Sequence, residues 1–250
     1  MEPKPVDWRG GEWHGRKPGA YRWWEIQDNV AYFDKFAEPK IIYQEIQYFP
    51  AYSTDTDGRY LNNKGFMLPS TDLWLLAVLN SSLLWWLGWR HFPHMKDEAL
   101  TPAAFRMETL PIAKPLESSA ARVADIVGTL PAIAREKHAA HRALRDWLAV
   151  TWELPKPPAA LTEPFALSPD AFAQALRAAL PARRRTLSAV TAIRAEYIAP
   201  VASRLAEAAR LENELARLVN RAYGLTQADE RLMWETAPPR MPIARPNFTN

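Results

Sequence analysis

Five histidines and no cysteine bound the chemistry this 250-residue chain can attempt. His138 and His141 stand three apart on a predicted helix. Two imidazoles on one face hold a metal only with further ligands, none is placed nearby, and solvated histidines are the plainer reading. His91 and His94 flank Phe92-Pro93 in a turn and lack a third ligand in the same way. Glu38-x-Lys40 resembles a scrap of a nuclease site, yet such a site also needs an upstream acid to hold Mg²⁺. Ser81 and Ser82 have no base to activate them, and within an apolar helix they soften packing. There is no G-x-x-x-x-G-K-[ST] and no G-x-G-x-x-G to cradle phosphate, and Gly10-Gly11 and Gly15 follow no strand. The expectation is a chain without catalytic residues, metal or cofactor of its own.

The elements that would position any binding residues fall into two halves. Before residue 115 lie 20 of the 28 aromatics and eight of the eleven tryptophans; after it come Ala, Leu, Arg and Glu in helical runs. In the first half, "KIIYQEIQYF" (40–49) and "RYLNNKGFML" (59–68, with a turn at Asn62-Asn63) predict extended segments. "STDTDGR" between them supplies Asp-Gly turn chemistry for neighbouring antiparallel strands. Ser70-Thr71-Asp72 then offers an N-cap to "LWLLAVLNSSLLWWLGW" (73–89), an uncharged run. At 17 residues it falls short of the roughly 20 needed to span a bilayer. Asn80, Ser81 and Ser82 sit at its centre, and Leu73, Leu76, Leu79, Leu83 and Leu87 recur at helical spacing, so one long buried helix is expected and no membrane partner. Pro93, Pro102, Pro111 and Pro115 punctuate a loop-rich return with a short element near Phe105.

The second half predicts helices. Val123, Ile126 and Val127, then Leu144, Leu148 and Trp152, mark apolar faces interrupted by Pro131. A Pro-rich connector near 153–169 includes Pro157-Pro158. Ser168 followed by Pro169 starts a helix. Leu205, Leu211, Leu215, Leu218 and Val219 form a stripe between Pro200, which kinks or splits the pattern, and Gly224, which ends it. The fold class is therefore α+β: residues 1–115 as a small mixed or antiparallel sheet with a long buried helix, and 116–250 as an all-α bundle or hairpin. The N-terminus has no apolar h-region and cysteine is absent, which points to the cytoplasm.

Four pieces of the first half, "YRWWEIQDNVAYFDKFAEPKIIYQEI", "GRYLNNKGFML", "LWLLAVLNSSLLWWLGW" and "FRMETLPIAKP", occur in an order and spacing that resembles the target-recognition domain of TaqI-like adenine-N6 DNA methyltransferases and of type IIG and BREX-type modification enzymes. That family shows a W-[YW]-E-x-Q core, a K-I-[IV]-Y strand, a helix with an L-N-S centre and an L-P-I exit. "ENELARLVNRAYGLTQADERLM" is similar to the helical tail of the same enzymes. The resemblance implies that 1–115 is a target-recognition domain followed by a helical domain at 116–250, with double-stranded DNA as partner. It also implies a methyltransferase catalytic domain or subunit upstream, carrying AdoMet. The family's N/D/S-P-P-Y/F loop and glycine-containing AdoMet loop are missing: Pro157-Pro158 and Pro238-Pro239 are followed by Ala and Arg. On its own the chain is not expected to methylate.

A DNA reader needs cations for phosphates and a few side chains that reach base edges. Arg16, Lys17 and Arg22 stand among Trp13, Tyr21, Trp23 and Trp24, interleaving charge with flat π surface. Gln27 and Asn62 or Asn63 can contact adenine bidentately, with Lys64 beside them. Arg90, His91, His94, Lys96 and Arg106 cluster after the apolar run. Each has a plain alternative: tryptophans packed under the sheet, Asn-Asn as turn chemistry, a solvated loop. Charge tempers the reading, because residues 1–115 hold 13 Lys/Arg against 14 Asp/Glu while the remainder hold 18 against 14. The competing class is a helical protein-interaction scaffold or specificity subunit, with Leu205, Leu211, Leu215 and Leu218 as an open seam that docks a catalytic partner.

Overall fold

Lys40 opens the first strand, and its ammonium is out of reach of water. The computed structural model describes residues 3–28, 30–151, 153–154, 156–157, 159–179 and 187–248. Trp152 and Pro158 lie outside the described residues. The architecture is α+β: a three-stranded antiparallel sheet together with helices, in two compact units, Met1–Glu45 with Tyr52–Thr71, and Ile46–Ala51 with Asp72–Asn250. The compositional change near residue 115 and the division between these units are different boundaries.

In the first unit, β1 (Lys40–Gln44) lies between β2 (Ser53–Asp55) and β3 (Gly65–Leu68). Register sets Lys40 opposite Asp55 and Ile42 opposite both Ser53 and Met67. Lys40 Nζ donates to Asp55 Oδ2 at 2.6 Å and to the carbonyls of Phe36 (2.6 Å) and Glu38 (3.3 Å), and the two charged side chains are 0% and 1% exposed. Asp55 also accepts the backbone N–H groups of Asp57 (3.1 Å) and Arg59 (2.9 Å). Every lone pair used here satisfies a donor that burial would otherwise strand. Tyr43 completes the apolar face, stacked 5.5 Å from Phe66 and tilted against Tyr52 at 5.2 Å.

Three expectations change here. The first strand stops at Gln44, and Gln47 pairs its backbone with Leu100 in the second unit. The Asp57-Gly58 reversal falls where expected, with Gly58 at φ +69°, but "STD" before it is itself an edge strand, with Asp55 drawn inward to Lys40, so β2 and β3 flank β1 instead of pairing with each other. Lys40 itself is a structural ammonium locked to Asp55, which accounts for the Glu38-x-Lys40 pattern.

The second unit begins with the apolar run, which is two helices: α1 (Leu73–Leu79) and α2 (Ser82–His91). Asp72 caps α1 by accepting Trp74 N–H at 2.8 Å. Ser81 ends the continuity, since its hydroxyl accepts Leu84 N–H at 3.1 Å and donates to Val78 O at 2.7 Å, making it the N-cap of a new helix. α3 (Ala104–Met107) is a single turn. α4 (Glu117–Thr151) runs through Pro131 without breaking. Pro131 is exposed, so the carbonyl it deprives of a partner can turn to water.

α5 (Pro169–Ala179) starts as expected, Ser168 Oγ accepting Ala171 N–H at 3.2 Å. α6 (Leu187–Ile193) continues through a π-helical turn (Arg194–Ile198) into α7 (Ala199–Ala222), with Pro200 just after the π-helical turn, where the helix is not split. Gly224, φ +68°, ends α7, and a Thr226–Asp229 capping box opens α8 (Gln227–Glu235). Leu144, Leu148, Leu161, Phe172, Leu176, Val190, Ile193 and Ile198 form one buried cluster.

α4 and α7 pack antiparallel. Arg122 Nε and Nη2 grip Glu214 at 2.7 and 2.8 Å, and Arg204 Nε and Nη2 grip Glu136 at 3.1 and 3.3 Å. Both pairs are forked, the geometry that gives Arg–carboxylate contacts their specificity. Leu211, Leu215 and Leu218 are buried and Leu205 is half-buried, so the stripe is largely covered within the chain instead of forming an open seam. Trp74 Nε1 donates to Ala113 O at 2.7 Å and Tyr223 Oη to Pro111 O at 2.8 Å, holding the L-P-I segment to α1 and α7.

The Lys40–Asp55 pair makes the sheet testable. Asp55→Ala strands a buried ammonium and is expected to remove about 3–5 kcal/mol of stability, while Lys40→Met with Asp55→Leu should recover most of it. The hydrogen bond from Lys40 holds the Asp55 carboxyl below its ordinary value. The pair's contribution is therefore present above the ordinary carboxylate pKa and is lost as pH falls through the lowered one. Urea denaturation followed by hydrogen exchange at residues 40–44, across acid pH, checks both statements.

Candidate nucleic-acid interface

The first unit contains a turn built around one arginine. Arg16 Nη1 donates to the carbonyls of Trp23 (2.8 Å) and Arg22 (3.3 Å), and Nη2 donates to Glu25 O. The Arg16 carbonyl accepts Trp13 Nε1–H at 2.7 Å and Lys4 N–H at 3.2 Å. Glu25 N–H returns to Arg22 O at 2.9 Å while Glu25 Oε2 accepts Arg22 N–H at 2.7 Å, closing the reversal at 22–25. The guanidinium also lies 4.5 Å from the Tyr21 ring.

The turn thrusts apolar surface outward. Trp23 and Trp24 are each 59% exposed, edge to face at 5.5 Å, and Ile26 is 68% exposed. The tryptophans do not pack under the sheet. Arg22 lies 5.2 Å from the Trp24 ring, an exposed cation–π pair. Lys17 Nζ meets Asp28 Oδ1 at 2.8 Å; that hydrogen bond, then their mutual charge, raises the Lys17 pKa and lowers that of Asp28. Gln27 Oε1 accepts Lys17 N–H at 3.2 Å. Tyr60, 71% exposed, stacks on Phe36 at 4.9 Å, and Tyr32 and Phe33 are more than half exposed.

At the turn before β3, Asn62 Oδ1 accepts Lys64 N–H at 2.9 Å, Lys64 Nζ meets Glu45 Oε2 at 2.7 Å, and Asn63 is exposed. This is the turn chemistry of an Asx residue, with side chains at the surface.

The candidates of the second unit are mostly engaged in holding their own chain. Arg90 Nη1 donates to Trp86 O at 2.9 Å and Nη2 to Thr236 O at 3.0 Å, with the guanidinium 3.9 Å from the Trp86 ring. Trp86 Nε1 donates to Thr236 Oγ1 (2.9 Å) and Trp85 Nε1 to Pro239 O (2.9 Å), so this cluster fastens α2 to the segment after α8. His91 Nε2 pairs with Thr109 Oγ1 at 2.8 Å, and His94 Nε2 with Trp89 O at 2.7 Å, its ring edge-on to Trp89. Lys96 and Arg106 are exposed, Arg106 5.3 Å from the Phe105 ring.

Arg240 went unnoticed in the sequence. It donates to the carbonyls of Asp97 (3.2 Å) and Glu98 (3.4 Å), two consecutive non-glycine residues with φ of 58° and 61°. Nothing local signals an arginine whose partners lie more than a hundred positions away. His138 is exposed, His141 packs edge-on against Phe165 at 6.3 Å, and no metal-holding group of three acids or histidines occurs among the described residues.

The class these observations define is an α+β chain with an exposed aromatic turn in one unit and an antiparallel helical pair in the other. Residues 116–219 match the family described as "Domain of unknown function (DUF8810)", a span that runs from the start of α4 to near the end of α7. No curated protein and no solved structure matches the chain.

Because Arg16 ties the turn, Arg16→Met is expected to free it while keeping the aliphatic stem. Faster hydrogen exchange at 22–25 and stronger acrylamide quenching of tryptophan fluorescence, with helix content unchanged, would bear this out; exchange equal to wild type would show the turn holds without the guanidinium.

Proposed function

We propose that the chain is the DNA-sequence-recognition module of an adenine-N6 modification methyltransferase in the cytoplasm, positioning a separate AdoMet-dependent catalytic domain or subunit on its target site. The observation that carries the reading is the 22–27 turn, where Trp23 and Trp24 stand exposed with Arg22 over the Trp24 ring, and where Gln27 accepts the Lys17 N–H. Large exposed apolar patches mark interaction sites, and here the apolar surface is flat π surface interleaved with cations and an amide. Rings of this kind suit bases or sugars, the Arg22 guanidinium suits phosphate, and Gln27 suits an adenine edge. The order of motifs shared with TaqI-like recognition domains supports the same conclusion. Catalysis and AdoMet belong to the partner in this reading.

A second reading rests on the same surface. Lys17 and Lys64 are neutralised by Asp28 and Glu45, and tryptophan and tyrosine are the usual anchors of protein interfaces, so the aromatic face also fits docking to the catalytic subunit.

Fluorescence anisotropy with varied duplexes at low salt separates the two. Under the first reading Trp23→Ala with Trp24→Ala loses about 1–3 kcal/mol of duplex affinity, and Gln27→Ala relaxes preference among sequences by a similar amount. Flat titrations with every duplex, together with loss of methyltransferase binding in the double tryptophan variant, would overturn the first reading in favour of the second.

A further inference from the structure

α4 carries three arginines and a histidine in a row on its outer face. Arg135, His138, Arg142 and Arg145 follow a 3-4-3 spacing, which places them along one stripe of a helix, and all four are exposed. Over ten residues the row extends about 15 Å. Ion pairs engage other charges of α4: Arg122 holds Glu214 and Asp125, Lys137 holds Glu163, and Glu136 is held by Arg204. Glu207 on α7 also meets Arg204. Among the described residues, no ion pair engages Arg135, His138, Arg142 or Arg145. Glu136, Asp125, Glu163 and Glu214 are thus matched to other cations, and the outer row keeps only Asp146 as a carboxylate on its face. Asp146, four residues after Arg142, shares this face and offsets one charge of the row.

We infer that this row is a second nucleic-acid contact, a sequence-independent rail for the phosphate backbone of duplex DNA, separate from the aromatic turn. The inference rests on the DNA-recognition reading and deepens it. Each strand of duplex DNA presents one negative charge per roughly 3.4 Å of axis, so the length of the row matches about four phosphates of one strand. Ala139 and Ala143, both exposed, keep the adjoining surface low, which lets an extended polyanion approach the guanidinium groups. An anionic membrane fits less well. A helix that lies on lipid presents a broad apolar face beside its cations, whereas the apolar face of α4 is buried, with Ile126, Ile133, Leu144 and Leu148 each at 2% exposure or less.

The test uses the full chain and a fluorescein-labelled duplex, with anisotropy measured across a salt series. Arg135→Ala, Arg142→Ala and Arg145→Ala combined are neutral or favourable for helix propensity, so circular dichroism should be unchanged. Duplex affinity should fall about tenfold or more at low salt, and the slope of log K against log salt should flatten by about 0.9 for each lost contact. The triple Lys variant at the same positions should keep the wild-type slope. If wild type binds and the triple Ala variant retains its slope, the rail is refuted and the recognition reading stands. If wild type binds no duplex, both fail. If the triple Ala variant loses binding only to phosphatidylserine vesicles, with duplex binding intact, the row is a membrane contact and the inference is overturned.

Discussion

A charge withdrawn from water must meet an opposite charge, and this requirement organises both units of the chain. In the first unit it acts at full strength, because Lys40 and Asp55 are almost wholly buried and directly opposite across β1 and β2. Desolvation makes either one alone a large penalty, so the sheet edge, the position of the reversal at Gly58 and the backbone of 57–59 all conform to the pair. In the second unit the same rule acts in a milder, half-exposed form: the forked contacts of Arg122 with Glu214 and Arg204 with Glu136 set the register of α4 against α7, while apolar burial supplies the adhesion.

The rule also decides which cations remain for a ligand. Arg16 is surrounded by backbone carbonyls, Arg90 is fastened to Trp86 and Thr236, and Lys17 and Lys64 face carboxylates. What the first unit offers outward is aromatic surface with Arg22 beside it. What α4 offers outward is a row of guanidinium groups with Asp146 as the carboxylate on its face. In the proposed reading the first surface meets the bases and sugars of DNA and the second its phosphates.

Much of the local structure was legible. Ser168-Pro169 opened α5, Asp72 capped α1, Gly224 closed α7, and the β-branched run at 40–44 was a strand, because each depends on backbone preferences within a few residues. The break at Ser81 was written in the residues as well, but an uninterrupted apolar pattern outweighed a single hydroxyl able to cap Leu84. Pro131 erred the other way: a residue that usually interrupts a helix is tolerated on a solvent face. Of the candidate interface, the residue types around 16–27 could be read from their clustering, whereas their division into inward and outward groups could not.

Sequence alone determined the α+β class, the apolar character of residues 73–89 and the helical nature of the second half, since periodicity and capping are local properties of the chain. Only the tertiary structure decided that Lys40 is buried against Asp55 and that Arg90 and Arg240 clasp distant carbonyls. It also decided that, among the described residues, no ion pair engages Arg135, Arg142 or Arg145. The physical reason is that a charged side chain's role depends on which groups lie within a few ångströms of it. For Lys40 that neighbour is fifteen residues away, for Arg90 it is 146, and neither separation carries any signal in the order of the residues.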